Sequence, residues 1–259
     1  MIARGVVTAY LLFLLAPVVM LAIGAFGGLW VATPLPEGVT LRWVDALFAD
    51  PVLWRALATS ATVALGALAV NLAIVPPLAG ALAVRPGPML ALVELLVRTG
   101  PVAVPSGVLG FALVAVLAGP LSPLQGSLAV LIAAHAVLAL PYMLAPVLAD
   151  LGERDAAGLL RMATSLGAGP VRGFVTIVLP AARGGLIAGT AAVVAVSIGE
   201  FQLTNLVAGF LNRTYPLLVA DGFQRATGYA CAATLPLVLL AFANALAGRS
   251  IGRPKEQRA

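Results

Sequence analysis

The chain has 259 residues, of which 61% are hydrophobic and only 10% charged; soluble domains carry about 25% charged residues, so a soluble globular protein is excluded. The formal charge of +5 is scattered between apolar runs and does not gather into one patch, which argues against a nucleic-acid surface. A single cysteine, Cys231, excludes an internal disulfide and a cysteine-rich metal site, and is expected as a small packing residue.

Apolar runs bounded by charge or by Gly and Pro place helices at about 5–29, 55–82, 88–118, 126–149, 184–208 and 228–248. The first run follows Arg4 and could pass for a signal peptide, but its length exceeds the roughly 7 to 15 residues of a signal core, so it is read as a retained span. The expectation is an all-α polytopic membrane protein of about six transmembrane helices, one membrane domain over 1–259, with both termini on the same side. With both ends cytoplasmic, the inner side receives Arg4, Arg85, Arg154, Arg161, Arg172, Arg183, Arg249, Arg253, Lys255 and Arg258, and the outer side Arg42, Arg55, Arg213 and Arg225. Short loops rich in Arg and Lys are retained in the cytoplasm, which favours that orientation. Proline recurs inside the spans, at Pro76, Pro77, Pro101, Pro105, Pro141, Pro146 and Pro236, each a fixed bend or a hinge. The tail GRSIGRPKEQRA is polar and expected to fray.

The only lysine is Lys255, so no phosphate loop of the Gly-x-x-x-x-Gly-Lys type can form and the chain cannot hydrolyse ATP by that route. The only histidine, His135, leaves room for a Ser/His dyad or, more blandly, for a buried histidine bonded to a neighbouring helix. No catalytic residue, metal ligand or cofactor is therefore expected on this chain. Glu94 and Arg98, spaced i, i+4, share a helix face and can neutralise one another, as a structural pair or in a transport role. Glu200, in SIGEFQLTN, falls about 25 Å along the fifth span from Arg183, near the outer end of the apolar core. It and Asn205 are pathway candidates, because a polar residue in a span either lines a pathway or bonds to a facing helix.

Between the fourth and fifth spans stands RMATSLGAGPVRGFVTIVLP, residues Arg161 to Pro180. Leu159, Met162, Ala163 and Leu166 fall at i, i+3, i+4 and i+7, one apolar face of a helix, with Arg161, Thr164 and Ser165 off it. Gly167, Gly169 and Pro170 then break that helix. A short amphipathic helix, a bend and a second segment are predicted over about 153–182, lying on the membrane surface or docked to a partner.

The spacing Gly167, nine residues, Ile177, one residue, Leu179 and Pro180 resembles the cytoplasmic signature of permease subunits of binding-protein-dependent ABC importers, Glu-Ala-Ala, three residues, Gly, nine residues, Ile, one residue, Leu-Pro. Ala163, Gly167, Ile177, Leu179 and Pro180 match in register, whereas Arg161 stands where the family has Glu and Met162 where it has the first Ala. LPEGVTLRWVDALFADPVLWRALATSATVAL and SIGEF resemble the branch that carries polyamines, iron, thiamine, sulfate and phosphonates, and the likeness covers about residues 40–245. The resemblance implies a type I ABC importer permease fold in a bacterial inner membrane. It makes the segment a coupling helix that docks in a cleft of the ATPase. It implies as partners two ATPase subunits, a second permease, identical or homologous, and a periplasmic or lipid-anchored substrate-binding protein, with ATP used by the ATPase. The cargo would be polyamine-like or another small solute of that branch. Competing readings are a self-contained secondary transporter or channel, and an intramembrane enzyme built around His135.

Overall fold

The computed structural model describes residues 2–30, 33, 35–84 and 87–251. Arg85, the tail residues Arg253, Lys255 and Arg258, and the side chain of Arg249 lie outside the described residues. In chain order the helices are α1 (Ile2–Phe26), α2 (Arg42–Ala49), α3 (Pro51–Val84), α4 (Pro88–Ala103), α5 (Ser106–Leu117), α6 (Leu128–Glu153) and α7 (Ala156–Ser165). There follow α8 (Pro170–Gly173), a stretch of π-helix at Phe174–Val178, α9 (Leu179–Ala181), α10 (Arg183–Gly199), α11 (Gln202–Val207), α12 (Tyr215–Arg225) and α13 (Thr227–Ile251). The chain is 83% helical, and among the described residues the only sheet is a two-stranded antiparallel pair, β1 (Gly27–Leu29) with β2 (Glu37–Val39). This is an all-α polytopic membrane protein.

Among the described residues, four helices are long and apolar enough to cross a membrane: Arg4–Phe26, Pro51–Val84, Leu128–Glu153 and Thr227–Asn244. Two bent pairs, Pro88–Ala103 with Ser106–Leu117 and Pro170–Ala181 with Arg183–Gly199, raise the number to six if each pair is one span. The first predicted span stops short of residue 29 because Gly27–Leu29 pairs with Glu37–Val39. The predicted span 88–118 is broken, with 102° between α4 and α5. The cause is local: Pro105 forces Val104 into extended backbone, φ −100°, ψ 123°, and a residue so placed cannot continue a helix. Helices α3, α6 and α13 run on through Pro76 and Pro77, Pro141 and Pro146, and Pro236.

The chain divides into two compact units, Met1–Ala58 with Thr214–Ala243, and Thr59–Arg213 with Asn244–Ala259. In the first, Ala25, Leu47, Leu53, Tyr215, Leu218 and Cys231 share a core, so Cys231 is a buried packing residue. Asp50, between α2 and α3, fastens this unit: its carboxylate accepts from the Val52 amide at 2.8 Å, the Tyr229 hydroxyl at 3.0 Å and the Arg225 guanidinium at 3.2 Å. Burial pushes the Asp50 carboxyl up, but these three donors outweigh it and hold the carboxyl below its ordinary value.

The second unit is built on α6 and α10. Asp150, near the end of α6, accepts the Gly185 amide in the first turn of α10 at 2.6 Å, placing a carboxylate on the unsatisfied N–H groups of a helix start. Ser197, at the other end of α10, meets His135 near the start of α6, so the two helices run antiparallel with ties about 20 Å apart. At the Asp150 tie a Cβ on Gly185 would collide with the Pro146 carbonyl, and one turn on a Cβ at Gly189 would come within 2.8 Å of Met143. Two glycines four residues apart thus let the backbones close, as small residues do between membrane helices. Val193, Met143, Leu144 and Val147 complete the buried seam.

Candidate functional site

The segment predicted over about 153–182 folds as a hairpin rooted at the Asp150 tie. Asp155, in left-handed backbone, caps α7 by accepting the Gly158 amide at 3.1 Å. At the far end, Gly167 has φ +84°, the Ala168 amide bonds to the Ala163 carbonyl at 2.9 Å, and the Gly167 amide bonds to the Thr164 carbonyl at 3.0 Å. That pair of bonds is the Schellman termination, which requires left-handed backbone at the residue occupied by Gly167. Gly169 is extended and Pro170 opens α8, so the return segment starts immediately.

One side of α7 packs on its own chain. Leu160 lies against Gly173, where a Cβ would come within 2.6 Å of its Cδ1, and Val178 packs beside Gly80 of α3. The opposite side is bare: Leu159 is 43% exposed, Met162 60% and Leu166 90%, with Arg161 also exposed and Ala163 half-buried at the edge. The predicted stripe is therefore one face turned away from the rest of its unit. Ile177 and Leu179 lie half-buried on the return segment, and Pro180 is exposed at the start of its last turn. They are not part of the bare face; they position the segment that carries it back to α10.

The pathway candidates lie at the other end of α10. Glu200 interrupts the predicted fifth span, with extended backbone between α10 and α11, and its side chain accepts the Leu203 amide at 2.8 Å. Asn205 is exposed on α11. Gln202 is exposed one turn earlier, and its Oε1 accepts the Ser106 hydroxyl at 3.3 Å, joining the start of α11 to the start of α5. The two helix breaks, at residues 104–105 and 200–201, thus meet, and they carry the exposed amides of Gln202 and Asn205, the half-buried Ser106 hydroxyl and the half-buried Glu200 carboxylate. Glu94 and Arg98 form the expected ion pair at 2.9 Å on α4.

His135 is buried between two hydroxyls, with Nδ1 2.9 Å from Ser197 Oγ and Nε2 2.9 Å from Thr204 Oγ1. The Ser/His contact that the sequence allowed is formed, with Ser197 and His135 buried together and the second ring nitrogen facing Thr204. Among the described residues no group of three or more His, Cys, Asp and Glu could hold a metal ion. Sequence reasoning missed Asp150, Ser197 and Thr204. The glycine pair Gly185 and Gly189 in GLIAG was a legible sign of close helix packing, but nothing local marks Ser197 or Thr204 as partners of a histidine more than 60 residues away. No protein-family model matches the chain.

Proposed function

We propose that this chain is the membrane-spanning permease subunit of an ATP-driven importer, moved by a separate ATPase that docks on the α7 hairpin. The observation that carries the reading is the bare stripe of Leu159, Met162 and Leu166 on a capped, bent helix anchored in the α6–α10 pair. An apolar face of this kind, beside exposed Arg161 and Arg172, needs a partner with a greasy cleft and acidic neighbours. A hairpin rooted through Asp150 in two close-packed helices passes displacement into them and not merely into a loop. The full assembly would hold two ATPases, a second permease and a substrate-binding protein, in a bacterial inner membrane with both termini cytoplasmic. Glu200, Gln202 and Asn205 would border the pathway, and the cargo would be a small polar solute. The chain holds no phosphate-loop lysine, so the engine must come from the partner. The test is whether the chain, solubilised in mild detergent, retains an ATPase; ATP hydrolysis intrinsic to the purified chain would overturn the reading.

A further inference from the structure

The buried imidazole of His135 sits opposite the interruption of the fifth span, and its two nitrogens grip opposite sides of that interruption. Ser197 belongs to α10, before the extended residue Glu200; Thr204 belongs to α11, after it. The protons can be assigned from the network. The Thr204 hydroxyl donates to the Glu200 carbonyl at 3.2 Å, so its oxygen is left to accept the Nε2 proton of His135, and Nδ1 is left to accept the Ser197 hydroxyl. Each hydrogen of the triangle thus finds an acceptor, Thr204 Oγ1 both donating and accepting, around a neutral, buried ring.

The arms are unequal in consequence. α10 is already fixed to α6 by the Asp150 tie and by the close approaches at Gly185 and Gly189, so losing the Ser197 arm leaves it in place. α11 has six residues and joins α10 through an extended link, and among the described residues its side-chain hydrogen bond to α6 is the one made by Thr204. We propose that His135 is a positioning residue that sets α11 against the α6–α10 pair through Nε2 and Thr204, and so fixes how Glu200, Gln202 and Asn205 are presented. The pathway role of those three rests on the function proposed above; the positioning of α11 does not.

The test separates the two arms. An asparagine at this position carries its amide at the depth of Nδ1 and keeps the Ser197 arm alone; a glutamine, one methylene longer, reaches the depth of Nε2 and keeps the Thr204 arm. The reporter is Val207→Cys, a buried position on α11, in a Cys231→Ala background, labelled with a membrane-impermeant maleimide in lipid vesicles holding the full chain. His135→Asn is expected to raise the labelling rate about tenfold over the parent and His135→Gln to stay within about twofold. Equal rates in the two variants would overturn the proposal, because a histidine that only fills space is lost equally in both. Where an imidazole variant does not insert, Thr204→Val and Ser197→Ala give the same contrast with the ring kept: fast labelling in the first, parental labelling in the second, and no difference between them overturns the proposal. The reporter needs no ATPase, so its failure is distinct from a failure to retain one.

Discussion

The Glu200 carboxylate accepts the Leu203 amide, which makes it a cap for α11 as well as a polar group at the helix break. These roles separate on substitution. Glutamine keeps an acceptor oxygen at the same reach and loses only the charge, whereas alanine loses the cap, a change of about 0.5–2 kcal/mol to the helix it starts. If the charge serves the pathway, Glu200→Gln lowers transport several-fold in reconstituted vesicles while assembly is unchanged. Normal transport by Glu200→Gln with a defect in Glu200→Ala would assign the residue to capping alone. Because this carboxylate is already engaged, and the exposed polar side chains beside it are the Gln202 and Asn205 amides, the break offers neutral hydrogen-bonding contacts more than a bare anionic site.

At the scale of the element, the α7 hairpin depends on Gly167. A Cβ there would meet nothing within 4 Å, so a substitution fails through the backbone and not through a clash. Gly167→Val forces a β-branched residue to φ +84° and costs about 1–3 kcal/mol, while asparagine tolerates the left-handed region. Transport is expected to fall with Gly167→Val and to survive with Gly167→Asn, measured on the reconstituted complex; equal behaviour of the two variants would show that the Schellman bend is not what couples the segment. This hairpin was legible because its signals are local: the stripe, the glycine and the following proline all fall within about a dozen residues. The break between α4 and α5 was locally signed as well, by Val104 ahead of Pro105, but the unbroken hydropathy of 88–118 reads as one span when only composition is weighed. The break at Glu200 and the His135 triangle were not legible, since they depend on helices brought together from distant parts of the chain.

For the whole molecule, the proposed topology of six spans with the hairpin on the cytoplasmic side would make a labelling pattern. In a Cys231→Ala background, Arg154→Cys and Arg172→Cys should be shielded from an impermeant thiol reagent in intact cells, and Glu37→Cys and Leu211→Cys should react, all four positions being exposed on the chain itself. The reverse pattern would take the hairpin out of the cytoplasm. If the stripe of α7 is where an ATPase holds this subunit, Leu166 is the residue whose replacement shows it. At 90% exposure an aspartate there costs the isolated chain nothing in packing, but in a docked cleft it would leave a carboxylate desolvated and unpaired, at several kcal/mol. The measurement is ATPase retained on the immobilised chain, wild type against Leu166→Asp: the wild type is expected to retain it and the variant to hold it at least roughly hundredfold more weakly, whereas equal retention by the two would mean that the ATPase does not dock on this stripe.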